Sequence, residues 1–409
     1  MVDVMPPAQG GSPPEAGKRL GGKIAVIHSI YKPYHRGGAE VVVENIVAGL
    51  KKKNEDIFVI TLGYENKIEE IDGVKIHRIK PFNLFNFLDI NSKPVWLRLP
   101  WHIIGMFNDI TAWKVYKILE KEKPDLALTH NLKGLSYYIP RVLQKLKIKN
   151  IYTVHDAQLL HPSGLINAKS ELGFVAKIYC WVCKQLFGSP DVVIFPSKYF
   201  REVYEKFGFF KLSKKESLAN PLSCQNLALA GHDNSEAVNL LYLGQIEEYK
   251  GVFDLLEAFQ RAIVGSKMPV FLHFVGDGHV LAKAKEKAKN DRKVIFWGRM
   301  DHEEMEQEIW SRIDLLINPS KVPESFGMVL IEANAKGIPV LATNVGALPE
   351  IIEEGKNGWL IESGNVVKLK EKIESILKDK GKLASMRKDC VDASKKYNVE
   401  EYIEKLLNF

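Results

Sequence analysis

The stretch PSKVPESFGMVLIEANAKGIPVLATNVGALPEII, residues 319–352, reads as a loop, a helix, a short strand and the start of another helix. GMVLIEANAKG is apolar along most of its length, and PVLATN is a brief run with β-branched residues, as a buried strand would be. Glu324 and Glu332 bracket seven residues. The first lies in a proline-bearing loop beside Ser325 and Gly327. The second stands among Val329, Leu330, Ile331 and Ala333, roughly 80° further around the helix at about 100° per residue. A buried, unpaired carboxylate costs several kcal/mol, so Glu332 requires donors, either a structural cation or a ligand's hydroxyls.

The same alternation extends in both directions. Before the stretch come strand NLLYLG, helix VFDLLEAFQRAI, strand VFLHFVG, helix VLAKAKEKAKN, strand VIFWG, helix HEEMEQEIWSR and strand LLINPS. Nearer the start come KIAVIHS, the helix GGAEVVVENIVAGLKKK, and the runs DIFVITL, DLALTH, NIYTVHD and DVVIFPS with helical segments between them. Continuous apolar strands alternating with helices predict parallel sheets covered on both faces. A chain of 409 residues exceeds one core and predicts two such α/β domains. The polar segment 228–237 falls at or near the linker. The expected layout is a disordered tail over 1–21, domains over 22–230 and 231–393, and a C-terminal helix over 394–409 crossing back to the first domain.

Composition is ordinarily globular, and a net charge of +7 suits anionic substrates or an anionic membrane surface without demanding nucleic acid. Four cysteines, at 180, 183, 224 and 390, are too few to staple the chain and point to a reducing, cytoplasmic setting. The pair in YCWVCK has no second pair to complete a zinc site and reads as buried helix cysteines. The first twenty residues have no apolar signal core, and no run reaches the ~18 apolar residues of a membrane span.

In open parallel sheets ligands bind outside the carboxyl ends of the strands, and the unusual residues cluster there. Gly37 and Gly38 open a helix whose free amides attract an anion, or simply form a turn. They do not complete G-x-G-x-x-G, so a nicotinamide dinucleotide is not supported. His155 after NIYTV, and His130 on the preceding strand, can meet a sugar hydroxyl or phosphate oxygen, or be structural. Gln245 and Lys250 follow NLLYLG, where a lysine can meet a diphosphate or simply be exposed. GDGH, residues 276–279, is a tight turn at the cleft floor. Gly298 and Arg299 can border a base, or Arg299 can be a surface arginine. Ser325, Phe326 and Gly327 begin the helix that carries Glu332, with amides aimed into the same cleft.

Together these residues resemble the retaining glycosyltransferases of family 4, which have the GT-B fold of two facing Rossmann-like domains. The resemblance runs from about residue 22 to 409 and is strongest in YLGQIEEYKG, FVGDGH, FWGRM, the opening stretch and GKNGWLI. It implies that Glu332 holds the donor's ribose and that Glu324 contacts hydroxyls of the transferred sugar. Phe326 and Gly327 would give amides to the donor, Lys250 would neutralise the diphosphate, and His155 would lie near the sugar. Gly37, Gly38 and Glu40 match the family's glycine-rich loop. Where the family usually has arginine this chain has Gln245, which removes one fixed charge.

The implied reaction moves a sugar from a nucleotide-diphosphate sugar, a substrate rather than a cofactor, to a glycan or lipid-linked acceptor with retention. Lysine and helix N-termini would replace a metal cation. Alternatives on the same architecture are a sugar-nucleotide epimerase and a non-catalytic sugar-nucleotide-binding protein. Residues 81–117, rich in Trp, Phe, Lys and Arg, read either as a helical core insertion or as an amphipathic membrane-surface patch or lipid-acceptor rim, which would put the protein at the inner face of the cell membrane.

Overall fold

The computed structural model describes residues 22–165, 173–223, 237–266 and 268–409. The expected tail, the linker apart from Ala237, and Cys224 lie outside them. The first sheet has eight strands: β1 Lys23–Ile27, β2 Asp56–Leu62, β3 Lys67–Ile71, β4 Val74–Ile79, β5 Leu126–Thr129, β6 Lys149–Thr153, β7 Val192–Phe195 and β8 Lys214–Ser217, ordered β3-β4-β2-β1-β5-β6-β7-β8. The second has six: β9 Val238–Leu243, β10 Val270–Val275, β11 Val294–Gly298, β12 Leu315–Asn318, β13 Val340–Thr343 and β14 Gly358–Ile361, ordered β11-β10-β9-β12-β13-β14.

All neighbours in the second sheet run parallel. The first departs from the expected parallel sheet at one edge, where β3 pairs antiparallel with β4. The cause is local: Asp72 and Gly73 both take positive φ, the backbone of a tight two-residue hairpin turn. The expected single helix HEEMEQEIWSR also breaks, into helix His302–Glu308 and a 3-10 turn Trp310–Arg312. Ile309, Trp310 and Ile313 at the break are all buried.

Each sheet reverses its winding once, between β1 and β5 in the first and between β9 and β12 in the second. Loops diverge at such a reversal and leave a crevice. The last helix, Val399–Leu407, packs on helix Gly38–Lys52 of the first domain. Gly49 permits that approach, since a Cβ there would sit 3.0 Å from side-chain atoms of both Val399 and Ile403. Lys53 pairs with Glu404 at 2.8 Å along the same seam.

Candidate active site

The loops at the second reversal are stitched together. The Lys321 amide donates to the Tyr249 carbonyl at 2.9 Å. Gly251 holds φ +76, and a Cβ there would lie 2.0 Å from the Pro319 carbonyl oxygen. This contact brings Lys250, after β9, to Glu324, after β12: Nζ to Oε1 is 3.0 Å. Both side chains are partly accessible, and Asn318 at the end of β12 reaches the same oxygen at 3.4 Å. Gly346, at φ +59, lies so close behind Glu324 that a Cβ would stand 2.4 Å from the Glu324 amide nitrogen. Gly346 therefore packs on the Glu324 backbone, while Lys250 and Asn318 hold its carboxylate.

Helix Met328–Ala335 starts one residue later than the sequence suggests, with Gly327 as its cap at φ +131. Phe326 is buried and meets the Tyr397 ring edge-on at 5.8 Å, so only its backbone is available to a ligand. Met328 faces Gly38: a Cβ on that glycine would come within 3.2 Å of the Met328 side chain. The two helix N-termini thus approach each other across the interface, and both favour negative charge. Glu332 lies one helical turn beyond Met328. Burial pushes its carboxyl up, with His302 and Lys336 pulling the other way. Lys336 is engaged by Glu306 at 2.5 Å, and the Glu332 carboxylate makes no ion pair or hydrogen bond among the described residues.

Gln245 is exposed, and its side-chain oxygen accepts from the Tyr249 hydroxyl at 3.0 Å. Gly276 and Gly244 pack so tightly that a Cβ on Gly276 would lie 1.8 Å from the Gly244 carbonyl. Gly298 ends β11 with open space where a Cβ would be. Arg299 reaches across to the glycine loop of the first domain, where its Nη2 donates to the His35 carbonyl at 3.1 Å.

The first domain's crevice is built differently. His28, His130 and His155 follow β1, β5 and β6, and all three are buried. Gly37 donates its amide to Glu40 Oε2 at 2.7 Å, which ties the glycine loop down. Burial alone would raise the Glu40 carboxyl, but His28 beside it and the Gly37 amide hold it below the usual range. Ser325 Oγ donates to the His155 carbonyl at 2.7 Å, and Ser197 Oγ donates to the Ser325 carbonyl at 2.7 Å. These hydroxyls lock the Glu324 loop onto the first domain. Glu350 adds to the lock by accepting the Lys198 and Tyr199 amides at 2.9 and 2.7 Å.

Residues that sequence reasoning did not assign also converge here. Lys133, in the loop after β5, is pushed down to about 8 by burial, against the opposing pull of Asp156. Asn131 donates to Asp156 at 3.1 Å. Both residues lie just after a strand, so the rule that found His130 would have reached them. A cavity of about 310 Å³ opens behind Phe326, lined by Ser197, Glu350 and Tyr397 among others. It includes neither Lys250, Glu324 nor Glu332, so charge and backbone geometry, not that cavity, mark the reactive region.

Two doubly wound sheets with crevices joined through one loop define a two-domain enzyme of GT-B architecture. HepE from Anabaena, solved in complex with UDP and glucose, superposes with a TM-score of 0.70 at 18% identity over 94% of this chain and 98% of its own. Residues 231–397 match the glycosyl transferases group 1 family, and residues 36–214 match glycosyltransferase family 4. N-acetyl-alpha-D-glucosaminyl L-malate synthase of Bacillus anthracis is 25% identical over 84% of this chain and 85% of its own. An uncharacterised glycosyltransferase of Methanocaldococcus jannaschii is 28% identical over 92% and 94%. The chain belongs to the group 1, family 4 glycosyltransferases, enzymes that transfer sugar from nucleotide-sugar donors.

Proposed function

We propose that this enzyme transfers a sugar with retention of anomeric configuration and without a metal ion, to a lipid-linked or glycan acceptor. The observation that carries the reading is the Lys250–Glu324 pair at 3.0 Å, set where the second sheet reverses. When a donor enters, Lys250 turns from the carboxylate to the diphosphate, and the Gly327 end of the helix adds its dipole. Positive charge then sits where the leaving group becomes negative, which lowers the barrier most when it is preorganised. Glu324, released, takes hydroxyls of the transferred sugar, and Glu332 takes the ribose. A departing phosphate oxygen accepts the acceptor's proton on the face it leaves.

The second domain holds the donor and the first the acceptor. The enzyme works in the cytoplasm at the inner face of the membrane, supported by the distribution of exposed apolar side chains. Helix Val95–Met106 presents Trp96, Leu99 and Ile103, and helix Phe174–Phe187 presents Phe174, Ile178 and Trp181. Neither helix contains an acidic residue, whereas Arg98, Lys177 and Lys184 are basic. Aromatic side chains among cations suit an anionic lipid surface. Among the described residues no helix is long and apolar enough to cross a membrane.

The test is transfer to lipid-linked and soluble glycan acceptors in the presence of chelator, with UDP-sugars first on the donor panel because HepE was solved with UDP. The expected product keeps the donor's anomeric configuration by NMR coupling. An inverted product, or strict dependence on an added divalent ion, would overturn the mechanism.

A further inference from the structure

The histidine cluster in the first crevice determines more than shape. His130 Nδ1 and His155 Nε2 stand 2.9 Å apart, with ring centroids at 5.1 Å and planes tilted by 29°. That centroid spacing, with the nitrogens so close, places the rings side by side, so one hydrogen bond joins them. The other nitrogens differ in kind. His130 Nε2 is sealed from solvent and has no partner. His155 Nδ1 has no partner in the protein either, but it is not among the sealed atoms.

Two arrangements of the shared proton are conceivable between neutral rings. If His155 donated from Nε2, His130 would carry its proton on Nε2, a sealed N–H with nothing to accept it. If His130 donates from Nδ1, the sealed Nε2 is only a bare lone pair. An orphaned buried donor is rarer and costlier than an under-used acceptor. The second arrangement therefore holds, and it leaves His155 with its proton on Nδ1.

We infer that His130 is a positioning residue that fixes the tautomer of His155, so that His155 offers an Nδ1–H donor, and no basic nitrogen, to a sugar hydroxyl or phosphate oxygen. The inference rests on the reading that His155 lines the sugar side of the site. Burial and the neighbouring His28 push His155 down to about 3, with Glu40 acting in the opposite direction. Burial, His155 and His28 push His130 well down too. Both rings therefore stay neutral across the working range, and the donor is always present.

Long-range ¹H–¹⁵N correlation on the full-length protein with ¹⁵N-histidine reads the tautomer directly. The expected His155 spectrum has a protonated Nδ1 and a bare Nε2, unchanged between pH 5 and 8. An Nε2–H tautomer, or titration in that range, would overturn the inference. His130→Leu removes the donor: His155 should shift toward the Nε2–H form and kcat/KM should fall at least tenfold. His130→Asn places an amide N–H near the lost Nδ1 and should restore the tautomer and most of the rate. If the Leu variant fails to fold, the Asn spectrum still decides, since an Nε2–H form there sinks the positioning role. If the tautomer is as stated yet His155→Ala keeps full turnover, the placement of His155 on the substrate fails instead.

Discussion

The two crevices occupy equivalent places, each at the reversal of a doubly wound sheet, yet they place different titratable groups there. In the second domain Lys250 and Glu324 are charged, partly accessible and paired with each other, with Asn318 on the same carboxylate oxygen. In the first, three histidines are buried, and His130 and His155 are held neutral. On the proposed reading, a diphosphate leaving group needs charge that can be redirected, whereas the sugar hydroxyl or phosphate oxygen beside His155 needs a fixed, uncharged donor. One fold supplies both because loop residues set the dielectric around each crevice while the sheets stay alike. The surfaces differ as well. Among described residues with large exposed apolar side chains, only Val264 and Val367 fall after residue 237.

Breaking the charged crevice should have the largest effect. Glu324→Ala should lower kcat on the order of 10³-fold in a product-formation assay, with circular dichroism unchanged. Lys250→Ala should lose roughly 10²-fold or more, and the loss should persist at saturating donor, because the missing charge serves the transition state. A Lys250 variant with normal kcat would erase the contrast between the domains.

The surface contrast predicts a smaller effect. Trp96→Glu and Trp181→Glu should each reduce co-sedimentation with anionic vesicles by roughly tenfold, since each removes a large apolar contact. Wild-type protein that ignores such vesicles at low salt would remove the membrane side of the comparison.

Glu332 sharpens the contrast most finely. Its folded carboxyl titrates above its unfolded value, so the native state binds the proton more tightly, and stability falls as pH rises through that window. Glu332→Gln should raise the unliganded melting midpoint by about 2 °C at pH 7, with the gain fading as pH drops through the usual carboxylate range. The same change should weaken donor binding about tenfold, because an amide matches a ribose diol less well. A variant that melts lower at pH 7 would mean Glu332 is a structural anchor.

Much of this was legible in the chain. Apolar runs such as DVVIFPS located nearly every interior strand, because a strand buried on both faces has no polar alternation to blur it. The edge was missed for the converse reason: KIEEI and VKIHRI alternate, and only Asp72-Gly73 announced the hairpin. Lys250 and Glu324 were readable separately as loop residues after strands. Their meeting was not, since it depends on the Gly251–Pro319 approach between loops far apart in sequence. Arg299 was readable as a loop residue after a strand, but its bond to the His35 carbonyl was not, because a long side chain can reach either wall of a cleft and sequence does not say which. Lys133 was overlooked because a lysine in a loop looks solvated until the fold closes over it.

The closing helix Val399–Leu407 makes the molecule's ends topologically interleaved. A single cut between the sheets would not yield two intact halves. The leading fragment would expose the seam along Val42, Ile46 and Gly49, and the trailing fragment would carry an amphipathic segment whose seat on the first domain is gone. A separately expressed first domain needs that segment supplied in trans or grafted by a short linker. Any motion that opens the cleft must also pivot about a strap already fastened to the opposite side.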